Sequence, residues 1–161
     1  MHFHHDAKLL QSLASGLVEK LDAVKRPSTD VCVKLCDIVS ASDFGCENAC
    51  RILTMVSCHS QSFLPELHPF ELLTVSTGCR KARFGCERLL TSLRDAFEMQ
   101  STNLTLSELC RVLNNFATLN FHPGDMLLDL PLMKTHAVDS LSPTEVPSAC
   151  LFFDRCLQGC V

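Results

Sequence analysis

The sequence predicts an all-α fold, a right-handed α-solenoid of about seven helices that forms one domain over the 161 residues. Apolar residues recur at spacings of three and four in successive segments, which is typical of amphipathic helices. A phenylalanine recurs at Phe3, Phe44, Phe84 and Phe121, with separations of 41, 40 and 37 residues. A fixed period of this length indicates a helical-repeat array.

Helix start signals share the phase of this repeat. We call the four phenylalanines the landmark positions, and the next step of 37 residues falls on Gln158. Sixteen residues before Phe44, Phe84, Phe121 and Gln158 stand the proposed N-caps Ser28, His68, Thr105 and Ser142. Glutamates follow three residues after the last three caps, at Glu71, Glu108 and Glu145. A hydroxyl N-cap followed by such a glutamate is a capping-box signature, and Pro69 and Pro143 occupy the first helical position, where proline is tolerated. We therefore expect a helix to begin after each cap.

Three complete hairpins with a half repeat at either end account for the chain. The half repeats are 1–24 and 142–161, and the hairpins are 28–60, 68–98 and 105–134. Turns are predicted at Phe44, Phe84 and Phe121, and a linker with the sequence SFLPELHP joins the first two hairpins. Repeats bury their apolar faces only against neighbours. We therefore expect the half repeats to dock on other protein subunits or to continue into a longer array.

One glycine stands out inside a predicted helix. Gly78 lies within the apolar pattern of the second hairpin. Glycine costs a helix about 1 kcal/mol relative to alanine. The cap and the phase nevertheless favour a continuous helix there.

Composition limits the possible classes of protein. A hydrophobic fraction of 47 % is normal for a folded chain. No apolar run approaches the roughly 18 residues that a membrane span requires, and the N-terminus lacks the basic and apolar regions of a secretory signal. We expect neither a membrane partner nor secretion.

Charge is unevenly distributed. The net charge of −4 argues against a uniformly basic nucleic-acid binder. Residues 80–94, however, hold five basic side chains against Glu87 alone. This segment predicts a local basic patch.

Eleven cysteines without tyrosine or tryptophan are unusual. A disulfide scaffold is disfavoured by the odd count and by the length of the chain. Zinc is suggested only by pairs one helical turn apart, such as Cys32 with Cys36, without a Cys-x-x-Cys knuckle. Two nine-residue gaps, before Cys46 and before Cys160, resemble halves of a twin Cys-x9-Cys hairpin. Reduced cysteine filling the space between packed helices is the preferred interpretation.

Catalytic motifs are missing from the sequence. It contains no nucleophile elbow, phosphate loop, HExxH or paired-carboxylate motif, so we expect no enzyme, no cofactor and no small-molecule substrate. His2, His4 and His5 form a short cluster that suggests either a metal site or incidental histidines. We favour the incidental reading and expect no metal.

One face of each first helix of a hairpin is polar. The residues six, nine and thirteen positions after the caps lie on one side, away from the apolar stripe. They are Lys34, Asp37 and Ala41; Thr74, Thr77 and Lys81; Arg111, Asn114 and Thr118; and Ser148, Leu151 and Arg155. A polar face that varies between copies suits contact with successive nucleotides. A solvated face with no ligand is the equally weighted alternative.

The stretch LSELCRVLNNFATLNFHPGDMLLDLPL resembles the heptatricopeptide and octotricopeptide class of organellar helical repeats, which is related to the FAST-kinase and RAP groups. The matching residues are Ser107, Glu108, Leu109, Leu113, Ala117, Leu119, Phe121, Pro123, Leu127 and Leu128. The copies at 28–60 and 68–98 match in phase more than in identity, the last copy has Asp154 in place of alanine, and no RAP domain follows. The resemblance implies an α-solenoid in mitochondria or plastids that binds RNA.

Two functions follow as expectations. The first is an RNA-contacting subunit of an organellar ribonucleoprotein, expected to be a mitochondrial ribosome in the matrix, with ribosomal RNA as its partner; this localisation rests on the resemblance alone. The expected RNA-binding residues are Lys34, Arg80, Lys81, Arg83, Arg88, Arg111, Asn114 and Arg155. The alternative is a protein-interaction adaptor in another mitochondrial assembly, without RNA contact.

Overall fold

The computed structural model describes residues 27–41 and 46–122, together with Ser12, Gly16, Glu19 and Lys20. The described part contains five α-helices: α1 (Thr29–Ala41), α2 (Cys46–Phe63), α3 (Pro69–Ala82), α4 (Glu87–Met99) and α5 (Leu106–Thr118). Two short 3-10 helices, Leu64–Glu66 and Ser101–Asn103, connect them, and no strand occurs among these residues. The all-α fold class is confirmed for this part of the chain.

The helices pack in two rows. α1 packs against α3, and α3 packs against α5, while α2 packs against α4. Each hairpin also holds together internally, through contacts of α1 with α2 and of α3 with α4. We call α1, α3 and α5 the first-type helices, and α2 and α4 the second-type helices.

The first-type helices bury the same repeat positions. Residues four, seven, eight and eleven positions after each N-cap are all buried in α1, α3 and α5. They are Cys32, Leu35, Cys36 and Val39; Leu72, Val75, Ser76 and Cys79; and Leu109, Val112, Leu113 and Phe116. This agreement supports the phase derived from the sequence, since one amphipathic stripe serves three helices.

The three predicted N-caps in the described part are in place. His68 and Thr105 each form a complete capping box with the glutamate three residues later. The backbone N–H of Val31 donates to the Ser28 hydroxyl at 3.4 Å. Each cap satisfies helix-terminal N–H groups that would otherwise lack partners.

A shared C-terminal motif explains the phenylalanine landmark. Phe84 N–H donates to the Cys79 carbonyl at 2.9 Å, and Phe121 N–H donates to the Phe116 carbonyl at 3.0 Å. These bonds span six residues, as in a Schellman motif, in which an apolar residue beyond the helix packs back on its last turn. The rings of Phe116 and Phe121 make this contact, with centroids 5.3 Å apart. Phe84 and Phe121 therefore belong to the turns that end α3 and α5.

The residues before Phe84 and before Phe121 have a left-handed backbone. The φ angles are 52° at Arg83 and 54° at Asn120. Asparagine tolerates this conformation, whereas a long side chain pays a steric penalty of about 1 kcal/mol. The turns predicted at Phe84 and Phe121 end their first helices as expected.

The segment predicted to link the first two hairpins begins later than expected and is partly buried. α2 continues to Phe63 instead of ending near Ser60, and a 3-10 turn follows it. Phe63, Leu64 and Leu67 are buried in the core. Pro65 does not interrupt α2, because it stands in the first turn of the 3-10 helix that follows, where its missing N–H is harmless.

Gly78 has a packing role that outweighs its low helix propensity. It is buried where α3 meets α1, and a Cβ placed on it would lie 3.2 Å from the Cys36 carbonyl oxygen. A side chain at this position would have to push the two helices apart. The missing Cβ therefore permits their close approach.

Several predicted elements lie outside the described residues. They are the turn at Phe44, the return helix of repeat 105–134, the half repeat 142–161 and nearly all of the half repeat 1–24.

Candidate nucleic-acid interface

The described part of the polar face is accessible on all three first-type helices. Its members are Lys34, Asp37 and Ala41 on α1; Thr74, Thr77 and Lys81 on α3; and Arg111, Asn114 and Thr118 on α5. Each of them is exposed or half-buried. Because the three helices pack as neighbours with the same buried positions, these side chains belong to one surface, which we call the polar face.

On α1 the polar face carries no excess positive charge. The Lys34 ammonium lies 2.8 Å from the Asp30 carboxylate, and both side chains are largely exposed. Asp37 adds a second exposed carboxylate one turn further on. An exposed pair of this kind contributes little stability, but it offsets the charge that Lys34 would present to a phosphate.

On α3, Lys81 is engaged with the neighbouring helix. Its ammonium donates to the backbone carbonyl of Ser40, in the last turn of α1. A cation at this end of a helix interacts favourably with the helix dipole and with carbonyls that lack intrahelical partners. Lys81 therefore has a structural role beside the predicted one.

Arg80 and Arg83 stand at the C-terminal end of α3. Arg80 is half-buried, and its Nε is buried without a hydrogen-bond partner among the described residues. Arg83 is exposed and carries the left-handed backbone of the Schellman turn. Of these two arginines, Arg83 presents the more accessible guanidinium.

Arg88 belongs to the second-type row. It lies in the first turn of α4, next to Glu87, and lines a groove of about 490 Å³ between α2 and α4. Arg94, on the same helix, lies 2.6 Å from the Asp95 carboxylate. The basic residues of segment 80–94 are thus distributed over two helices, and Arg155 lies outside the described residues.

The α3–α5 part of the polar face is its most positive part. Arg111 is exposed and Asn114 is half-buried, and no carboxylate occupies the polar-face positions of α3 or α5. The carboxylate of Glu71 accepts from His68 N–H at 2.9 Å, and that of Glu108 accepts from Thr105 N–H at 2.9 Å. Both nearby acids are therefore engaged in capping.

The pKa of the Glu108 carboxyl is lowered by its neighbours. The backbone N–H and hydroxyl of Thr105 lower the pKa of this carboxyl, with smaller contributions from the charges of His68 and Arg111. The start of α3, at His68, and the start of α5, at Glu108, are therefore close enough to interact electrostatically.

The sequence interpretation missed Phe70. This residue lies in the first turn of α3, and 64 % of its surface is exposed. It stands four residues before Thr74, on the same side of the helix. The spacing Phe70, Thr74, Thr77 and Lys81 was the signal that could have revealed it.

Cysteine serves mainly as filler between helices. Seven cysteines whose side chains the structure describes form no disulfide bond; among them, Cys32, Cys36, Cys79 and Cys110 are buried, whereas Cys58 is exposed. Burial raises the pKa of Cys79 to about 12. Burial, helped by Cys79 and Cys32, also raises the pKa of Cys36. Protonated thiols are poor nucleophiles and poor metal ligands.

Metal-binding clusters and membrane-spanning helices are absent from the part of the chain that the structure describes. Among its residues, no three histidine, cysteine, aspartate or glutamate side chains gather into a group that could hold a metal ion. None of the described helices combines the length and the apolar character that crossing a membrane requires.

Comparison with known proteins yields no relative: no family model, curated protein or solved structure matches the chain.

Proposed function

We propose that this protein is an RNA-contacting helical-repeat subunit of an organellar ribonucleoprotein, with a mitochondrial ribosome as the expected assembly. The observation that carries the proposal is the polar face, which repeats at the same positions on three adjacent helices. On α3 and α5 it combines cations with hydroxyl and amide groups and includes no carboxylate. Such groups contact phosphates and base edges in RNA-binding proteins.

The proposed architecture is a right-handed α-solenoid of about seven helices. Its support is the recurrence of the same buried positions in three helices and of the same Schellman turn after α3 and α5. Repeated local motifs with repeated neighbour contacts are typical of solenoids.

Residue roles within the RNA contact differ. Exposed Arg83 and Arg111 supply the strongest phosphate contacts, because Arg80 is half-buried and Lys81 also holds the end of α1. Lys34 contributes less, since Asp30 offsets its charge. Asn114 offers both a donor and an acceptor for a base edge.

Fluorescence anisotropy with a labelled oligouridine tests this proposal over about 50 to 200 mM salt. The double variant Arg83→Ala/Arg111→Ala should bind more weakly. The slope of log affinity against log salt should fall by about 0.7 for each lost single-strand phosphate contact. Arg94→Ala is the matched control, because Asp95 already pairs that arginine on the second-type row. Absence of binding by the unaltered chain, or an equal effect of the control, would contradict the proposal.

A second candidate function, a protein-interaction adaptor, has its own observation. The residue ten positions after the cap faces the preceding first-type helix: Gly78 approaches Cys36, and Asn115 donates to Ser76. In α1 this position is Ile38, which is 37 % exposed. α1 therefore offers an apolar edge to a helix that would precede it in the row.

The two candidates respond to different substitutions. Ile38→Asp should block assembly with a partner subunit while leaving oligouridine affinity unchanged, whereas Arg83→Ala/Arg111→Ala should do the reverse. Copurification of each variant with its assembly from mitochondria measures this difference. If the arginine variant assembles normally and no phosphate lies near its replaced positions in the purified complex, the adaptor is the better account.

A further inference from the structure

An exposed aromatic ring stands at the N-terminal end of α3, in line with the polar face of that helix. Phe70 is 64 % exposed and does not belong to the hydrophobic core. With Thr74, Thr77 and Lys81 it follows the spacing of four, three and four residues that places side chains on one side of a helix. Phe70 thus extends the polar face of α3 to the N-terminal end of that helix.

The charged side chains around Phe70 include Glu71 on its own helix and Arg111 on the adjacent helix. Glu71, its neighbour in sequence, directs its carboxylate to His68 N–H. α3 packs against α5, and Arg111 stands six residues after the α5 cap, the same repeat position that Thr74 occupies on α3, one helical turn after Phe70. The acid next to the ring in sequence is therefore engaged in capping, and an exposed arginine stands on the adjacent helix.

Resting on the RNA contact proposed above, we infer that Phe70 is a stacking platform for one base of single-stranded RNA. A base stacks on an aromatic ring through its π face, while cationic side chains along the strand hold its phosphates. Here exposed Arg111 supplies a cation on the adjacent helix α5, and half-buried Asn114 stands three residues after it on the same helix. A duplex is excluded, because its bases are already stacked on one another.

Substitution of Phe70 tests the inference with an unpaired probe. In anisotropy measurements with labelled oligouridine and oligoadenosine of about 12 nucleotides, Phe70→Ala should weaken binding by about 5- to 150-fold. The salt slope should stay unchanged, because no phosphate contact is removed. Phe70→Trp should retain affinity, and a duplex of the same length should bind the variant and the unaltered chain alike.

Two controls separate stacking from other roles. Phe70→Leu keeps an apolar side chain but removes the ring, so it should behave like Phe70→Ala; retention of affinity by leucine would overturn the inference. Met99→Ala removes another exposed apolar side chain, 72 % exposed on α4, and should have no effect. Circular dichroism establishes that each variant remains helical.

The outcomes distinguish this inference from the proposed function. If Arg83→Ala/Arg111→Ala weakens binding and Phe70→Ala does not, only the stacking role fails. If the unaltered chain binds neither oligonucleotide, both fail. If Phe70→Ala leaves RNA affinity intact but prevents assembly with other subunits, the ring belongs to a protein interface and the inference is overturned.

Discussion

The α1–α3 and α3–α5 interfaces solve one packing problem with different residues. Ten positions after the cap, α3 has Gly78, whose missing side chain allows close approach to the Cys36 carbonyl. α5 has Asn115 at this position, and its amide donates to Ser76 Oγ at 2.9 Å and to Thr77 Oγ1 at 3.2 Å. One interface is close-packed and rich in thiols, and the other contains buried hydrogen bonds.

This difference shows that a repeat preserves the direction of a side chain more strictly than its chemistry. A small residue gains dispersion contacts by bringing backbones together, whereas a buried amide is tolerated only because it is hydrogen-bonded. Buried cysteine suits the first interface as a small apolar residue. Buried Phe116 fills the second, in edge-on contact with Phe97 at a centroid distance of 6.2 Å.

The largest expected effect on stability comes from removing the Phe116 ring, which is buried at the α3–α5 interface. Phe116 is fully buried and contacts two other rings. Phe116→Ala should lower the free energy of unfolding by about 3–5 kcal/mol, as other buried phenylalanines do. Urea unfolding followed by circular dichroism measures it. Phe70→Ala is the control and should change stability by no more than about 0.5 kcal/mol, because its ring is exposed.

Filling the space at Gly78 should disrupt the close-packed interface. Gly78→Val places two methyl groups where a Cβ alone already lies 3.2 Å from the Cys36 oxygen. Overpacking of this kind costs about 1–3 kcal/mol. At Gly85 the nearest atom to a Cβ is 4.0 Å away, so Gly85→Ala should be nearly neutral. Equal stability of the Gly78 and Gly85 variants would refute the close-approach argument.

The hydrogen-bonded interface should respond to loss of its amide. Asn115→Ala removes two hydrogen bonds and leaves Thr77 without this donor. The free energy of unfolding should fall by about 1–2 kcal/mol. Asn114→Ala, one residue earlier on the accessible polar face, is the matched control and should unfold like the original chain.

The thiols of the α1–α3 side should make stability depend on alkaline pH. The Cys79 thiol has a pKa of about 12 in the folded protein against a usual value of 9.0. Its protonated form contributes fully to the free energy of unfolding below pH about 9. As pH rises towards about 12, the thiol ionises in the unfolded chain but not in the folded one, and the free energy of unfolding falls by on the order of 1 kcal/mol per pH unit. Urea unfolding across this range measures the decline, which should be shallower in Cys79→Ala.

Thiol reactivity gives an independent check at neutral pH. Exposed Cys58 should react with iodoacetamide in the folded chain, whereas buried Cys36 and Cys79 should react only after denaturation. Mass spectrometry of labelled peptides distinguishes them. Rapid labelling of Cys79 in the native state would contradict the buried thiol interface.

The smallest effect concerns the Schellman turns. Arg83 has the left-handed backbone that Asn120 adopts at the corresponding position after α5. Arg83→Asn should raise the free energy of unfolding by about 0.5–1 kcal/mol, because asparagine accepts this backbone more readily. Thermal unfolding measures the gain. Destabilisation instead would mean that the Arg83 side chain makes a structural contact.

The sequence by itself determined the features that depend on local interactions. Capping boxes, helix phase and the turns at Phe84 and Phe121 were readable because each involves residues within six positions of one another. The all-α class and the shared polar positions followed from them. The molecular function was reached only through a family resemblance, and it stays a proposal.

The tertiary structure decided the features that depend on contacts between helices. It buried three apolar residues of the predicted linker, gave Gly78 a packing role and directed Lys81 to the carbonyl of Ser40. It also left Phe70 of α3 exposed, although Phe97 of α4 and Phe116 of α5 are buried. These outcomes depend on which surface of a neighbouring helix faces each side chain, and periodicity within one helix carries no such information.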